Sequence, residues 1–130
     1  MSKHGYELVE LKGRLTAHHI GSSSSKPRSG SWIGILRKLT GKQNLVCARS
    51  RCTKIATLGA HIRGTELEEW KKAFRNYGHI LSFGYINKGG TFVVPCCDSC
   101  HKKYGESFII KKTPAIIDRN SPLDNDGFLR

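Results

Sequence analysis

The sequence predicts a small α+β domain stapled by a metal ion. Three observations predict it. Cysteines fall in two close pairs, Cys47 and Cys52, then Cys97 and Cys100, separated by 44 residues. Short alternating apolar stretches, readable as strands, are interleaved with two or three short helical patterns. The apolar share is 38% and glycine is frequent at 14 residues, so the core is modest and a staple is expected to help it. The C-x2-C pair and the C-x4-C pair both lie within zinc-ligand spacing, and four thiolates at ~2.3 Å satisfy a tetrahedral Zn2+. Structural zinc held by Cys47, Cys52, Cys97 and Cys100 is therefore the first expectation. Cys96 is left over and reads as a small core residue.

Tyr6–Leu11 and Arg14–Ile20 are strand candidates, with Lys12-Gly13 as a hairpin turn between them. Residues 1–31 read as a basic N-terminal arm ending in a flexible Gly/Ser-rich linker, Gly21–Ser31. Residues 32–117 read as the zinc-binding domain and 118–130 as a loose C-terminal tail. Trp32, Ile35, Leu36 and Leu39 repeat at helical spacing, with Ser31 to cap the start and Gly41 the end; this predicts a helix over Trp32–Thr40, with Trp32 in the core. Asn44–Cys52 leads into the first metal turn, and Ala56–Ile62 is a strand carrying His61. Thr65 and Glu68 form a capping box ahead of a second helix ending near Gly78, whose stripe is Leu67, Trp70, Phe74 and Tyr77. Ile80–Ile86 and Thr91–Val94 flank a hairpin at Asn87–Gly90. A short helix over Asp98–Tyr104 opens inside the second metal turn, with Asp98 as its N-terminal acid, and Ser107–Lys111 is a last strand. Adjacent His18 and His19 in a strand point to opposite faces, which argues against a joint metal role.

The net charge is +12, and no acidic residue stands between Glu10 and Glu66. Such a one-sign field attracts polyanions, and nucleic acid, double-stranded DNA first, is the expected partner. Arg37, Lys38, Lys42, Arg49, Arg51 and Lys54 are the candidate contacts. Those flanking the first metal turn are preferred, and Lys111 and Lys112 are expected to matter less. No basic amphipathic helix or membrane-length apolar run is present, so a membrane partner is not expected. With no signal-like segment and an odd cysteine count, the thiols read as reduced ligands of an intracellular protein of nucleus, nucleoid or virion.

The order of motifs is specific. Cys47-Ala-Arg-Ser-Arg-Cys52 precedes Gly59-Ala60-His61-Ile62, and Pro95-Cys96-Cys97-Asp98-Ser99-Cys100-His101-Lys102-Lys103 follows. From about Leu45 to Lys112 the chain resembles the HNH (ββα-metal) nuclease superfamily in its zinc-stapled treble-clef form. The resemblance implies a structural zinc on the four cysteines. It further implies His61 as general base toward water and His101 as ligand of a catalytic Mg2+ or Mn2+. The position before the first histidine, acidic in that family, is Ala60, which offers a hard cation no oxygen. The expected function is thus zinc-dependent, largely sequence-independent nucleic-acid binding on a degenerate HNH-like fold, as in a chromatin or virion packaging component. An active HNH-like endonuclease and a zinc-dependent protein-interaction module are the alternatives.

Overall fold

The structure is a computed structural model, and it describes residues 7–20, 30–64, 70, 91–103 and 105–117. These build a small α+β domain. Its elements are β1 (Glu7–Leu11), β2 (Thr16–His19), α1 (Trp32–Thr40), β3 (Leu58–Gly64), β4 (Thr91–Cys96), α2 (Asp98–His101), β5 (Ser107–Ile109) and β6 (Thr113–Ile117). The strands form one antiparallel sheet in the order β1-β6-β4-β3-β2-β5.

The two ends of that order belong to a single ribbon. Leu11 pairs with Thr113, Arg14 N–H donates to Ile110 O at 2.8 Å, Ile110 N–H donates to Leu15 O at 3.0 Å, and Thr16 pairs with Ile109. The chain running through β1 and β2 is therefore laddered along its length against the chain running through β5 and β6. The sheet curls until its ends meet, which leaves few unpaired strand edges. Lys12-Gly13 is a bend in this ribbon, not the tip of a β1–β2 hairpin as the sequence suggests. Residues 7–20 are likewise part of the sheet, not of an arm apart from it.

Alternation then sorts side chains between two cores. Val9, Leu11, Ala17, Ala60, Ile62, Phe92, Val94, Ala115 and Ile117 point inward and pack with the cysteines. Val93 and Ile116, one residue out of phase, face outward under α1. That helix buries Trp32, Ile33, Ile35 and Leu36 as its periodicity predicts. Ser31 Oγ accepts from Gly34 N–H at 3.1 Å, and Gly41, at φ 73°, donates its N–H to Arg37 O at 2.9 Å.

β6 lies beyond Ser107–Lys111, the last strand expected from sequence, and contains Pro114. Its pairing explains how the proline is tolerated. β4 meets β6 only at Ile116 and Ile117, so Pro114 has a neighbour on the β1 side alone and sits where an edge proline is allowed. The expected second helix, the Ile80–Ile86 strand, the Asn87–Gly90 turn and the tail lie outside the described residues, except for Trp70. Its indole is buried, stacks on Phe92 at 5.3 Å between ring centres and donates to Thr16 O at 2.8 Å. No helix among the described residues is long and apolar enough to cross a membrane.

α1 crosses β3 at Gly59. A Cβ there would overlap the Cβ of Trp32 and lie 2.9 Å from Val93 Cγ1. Gly59→Ala is therefore expected to destabilise the fold by roughly 1–3 kcal/mol through overpacking. A denaturant midpoint equal to that of the unaltered protein would contradict this packing.

Candidate metal centre

The first cysteine pair lies on a knuckle. Val46 bridges to Ile55, Cys47 N–H donates to Lys54 O at 2.9 Å, and Ala56 N–H donates to Leu45 O at 2.7 Å, which makes residues 45–56 a tight antiparallel turn. Cys52 N–H donates to Arg49 O at 3.1 Å, and Arg51 takes a left-handed φ of 72° to close it. The knuckle is stitched to the sheet on two sides. Ala48 N–H donates to Pro95 O and Thr57 N–H to Cys96 O; Ser50 N–H donates to Ile109 O and Lys111 N–H to Ala48 O. The second pair comes from the end of β4. Cys97 is the N-cap residue of α2, where His101 N–H donates to its carbonyl at 2.9 Å, and Cys100 follows within the helix. The helix is shorter than the Asp98–Tyr104 expected from sequence, ending at His101.

These elements bring the sulfurs of Cys47, Cys52, Cys97 and Cys100 within 4.8 Å of one another. All five cysteines are free thiols. Four sulfurs at ~2.3 Å from a tetrahedral centre lie ~3.8 Å apart. Cys52 Sγ and Cys97 Sγ are 3.7 Å apart. The donor set and its spacing thus fit a metal ion and are compatible with structural zinc.

The electrostatics also fit a cation. Cys96 donates its thiol proton to Cys47, which pulls Cys47 down to about 4 and pushes Cys96 well up. Burial, with the neighbouring sulfurs, pushes Cys100 up to about 12. Left to itself Cys100 therefore stays protonated near neutral pH, and a dication at the centre of the cluster would supply the missing stabilisation. Around them Lys111 Nζ donates to Cys52 O, Lys54 Nζ donates to Ser99 Oγ at 3.3 Å, and Ser99 Oγ lies 3.4 Å from Cys97 Sγ. Cys96 sits inside the core beside the cluster, as expected, and outside the four-sulfur set.

The two histidines singled out by the resemblance contact different rings. His61 lies between inward-facing Ala60 and Ile62 and points to the opposite face, its ring 5.2 Å from that of Trp32. His101, half-buried on α2, instead meets His19, with ring centres 5.3 Å apart. His19 and His18 do face opposite ways, and only His19 is fully buried. Burial first, then His101 and Arg49, pulls His19 down to about 4, so it stays neutral near pH 7. Ala60 is buried inside the sheet opposite Val94.

The candidate nucleic-acid contacts divide. Lys38, Lys42, Arg51 and Lys54 are exposed, and Arg37 is half-buried. Arg49 is engaged internally, paired with Glu106 at 3.2 Å and lying 4.4 Å over the Phe108 ring. Lys111, set apart from the knuckle by sequence distance, is part of its surroundings, because it is bonded to both Ala48 and Cys52, whereas Lys112 pairs with Glu10. The placement of Lys111 depends on a pairing 59 residues long in sequence, which no local signal announces. No protein-family model, curated protein or solved structure matches this chain.

The reduced protein is expected to carry one zinc per chain by metal analysis. Cys97→Ser should lose it and unfold, because zinc binding is coupled to folding. Cys96→Ser should keep the metal. Loss of zinc from Cys96→Ser with retention in Cys97→Ser would overturn the ligand assignment.

Proposed function

We propose that this chain is a zinc-stapled, non-enzymatic module that binds nucleic acid, duplex DNA first, through its phosphates and without base specificity. One observation carries the reading. Among the described residues, Glu10, Asp98 and Glu106 are each paired with a cation, by Lys112, Lys102 and Arg49. Lys12, Arg14, Lys38, Lys42, Arg51 and Lys103 remain exposed with no described acidic partner. The overall charge of +12 adds the long-range field. A chromatin or virion packaging role suits this chemistry.

An HNH-like treble clef is the proposed frame. A knuckle, the antiparallel pair β3 and β4, and a helix start carrying the last two thiols follow in that order along the chain. It does not retain the catalysis. A nuclease of that kind needs a base and a metal-bound phosphate in one cleft. Here His61 packs on Trp32, His101 packs on His19, and position 60 offers a buried methyl group.

Two measurements test the proposal. Affinity for duplex DNA should fall steeply and log-linearly with salt, because each neutralised phosphate releases counterions. Absence of DNA binding at low salt would refute it and favour a protein partner. Supercoiled plasmid should remain intact with Mg2+, for the unaltered protein and for His61→Ala alike. Robust nicking abolished by His61→Ala would restore the endonuclease.

A further inference from the structure

Two residues with side chains take a left-handed backbone among the described residues, and both are arginines: Arg14 at φ 70° and Arg51 at φ 72°. Positive φ is strained for a side chain of this kind, and glycine or asparagine would hold either turn at lower cost. An arginine kept there points to work done by the side chain. The two positions are far apart in sequence and lie at one end of the fold. Arg14 N–H donates to Ile110 O at 2.8 Å, Ile110 bridges to Arg49 on its other side, and Ser50 N–H donates to Ile109 O at 2.8 Å. Three backbones therefore run side by side: the Lys12–Leu15 bend, the β5–β6 junction, and the zinc knuckle. The approach is close, since a Cβ on Gly13 would lie 3.2 Å from Lys112 N. Lys111 ties the layers together, its ammonium donating to Cys52 O, next to Arg51.

We infer that this three-layered end is a phosphate-binding platform for nucleic acid, with Lys12, Arg14 and Arg51 as its contacting cations. The inference rests on the nucleic-acid reading above and gives it a footprint. These three side chains are exposed and have no described acidic partner, whereas neighbouring cations are committed: Arg49 to Glu106, Lys112 to Glu10, Lys111 to the knuckle carbonyl. Three adjacent backbones ~4.8 Å apart make a surface ~10 Å across. Duplex DNA carries a charge every ~1.7 Å of axis, so the surface faces several phosphates. Guanidinium groups suit this task, since their planar forks bond phosphate oxygens in pairs. The zinc enters as positioning: Cys52 fixes the turn that carries Arg51. Among the remaining exposed cations, Lys54 is engaged by Ser99, and Lys38 and Lys42 at the end of α1 and Lys103 after α2 supply field but no specific contact.

The test compares two charge-matched triple variants on duplex DNA. One is Lys12→Gln with Arg14→Asn and Arg51→Asn; the other is Lys38→Gln with Lys42→Gln and Lys103→Gln. Asparagine suits both left-handed positions, so the first variant should keep its zinc and equal or exceed the parent in thermal stability. It should lose about tenfold or more in affinity at ~0.1 M salt and about three from the salt slope. The second should lose clearly less in both. Equal losses in the two variants would overturn the platform while leaving nucleic-acid binding intact. A parent protein that does not bind DNA would instead overturn the reading on which the platform rests. A first variant that binds like the parent, or that loses its zinc, would assign the arginines a structural role or none.

Discussion

The convergence of four thiols is the constraint on which this architecture turns. The knuckle at residues 45–56 has a two-residue bridge and a strained turn of its own, too little to hold a fixed geometry alone. Its position is determined from outside, by backbone bonds to β4 and to the β5–β6 junction, and by sulfurs contributed from the N-cap and the body of α2. A cation joining those sulfurs ties the two halves of the chain at the edge of the inner core. The same tie explains why charge gathers there. A tetrathiolate zinc centre is formally dianionic, and Lys54 and Lys111 stand against it through Ser99 and the Cys52 carbonyl.

What the sequence makes legible is what local chemistry controls. α1 is read correctly to its ends because Ser31, Gly41 and the Trp32–Leu39 periodicity are contained within a dozen residues. The four cysteines can be chosen from five because spacing within each pair is itself local. β3 is found but displaced toward its C-terminal end, since Ala56 and Thr57 belong to the knuckle stem. The ribbon linking residues 7–19 to residues 107–117 is invisible to local reading, because a ladder across a hundred residues is decided by tertiary closure.

The histidines make the same point for the site. A motif order suggests that His61 and His101 share a cleft, but strand parity decides where a side chain goes. With Ala60 and Ile62 inward, His61 must face outward, toward α1. His101 then finds His19, a residue that sequence reading gives no metal role, and burial keeps that imidazole neutral. The order of motifs along the chain therefore does not by itself place their side chains in one cleft.

The central claim is that Cys47, Cys52, Cys97 and Cys100 together form one tetrahedral metal site. X-ray absorption at the zinc edge of the purified, reduced protein tests it most directly. The account predicts a single shell of four sulfurs at ~2.3 Å. A shell containing nitrogen or oxygen donors at ~2.0–2.1 Å, as imidazole ligation by His101 or His19 would produce, would contradict it.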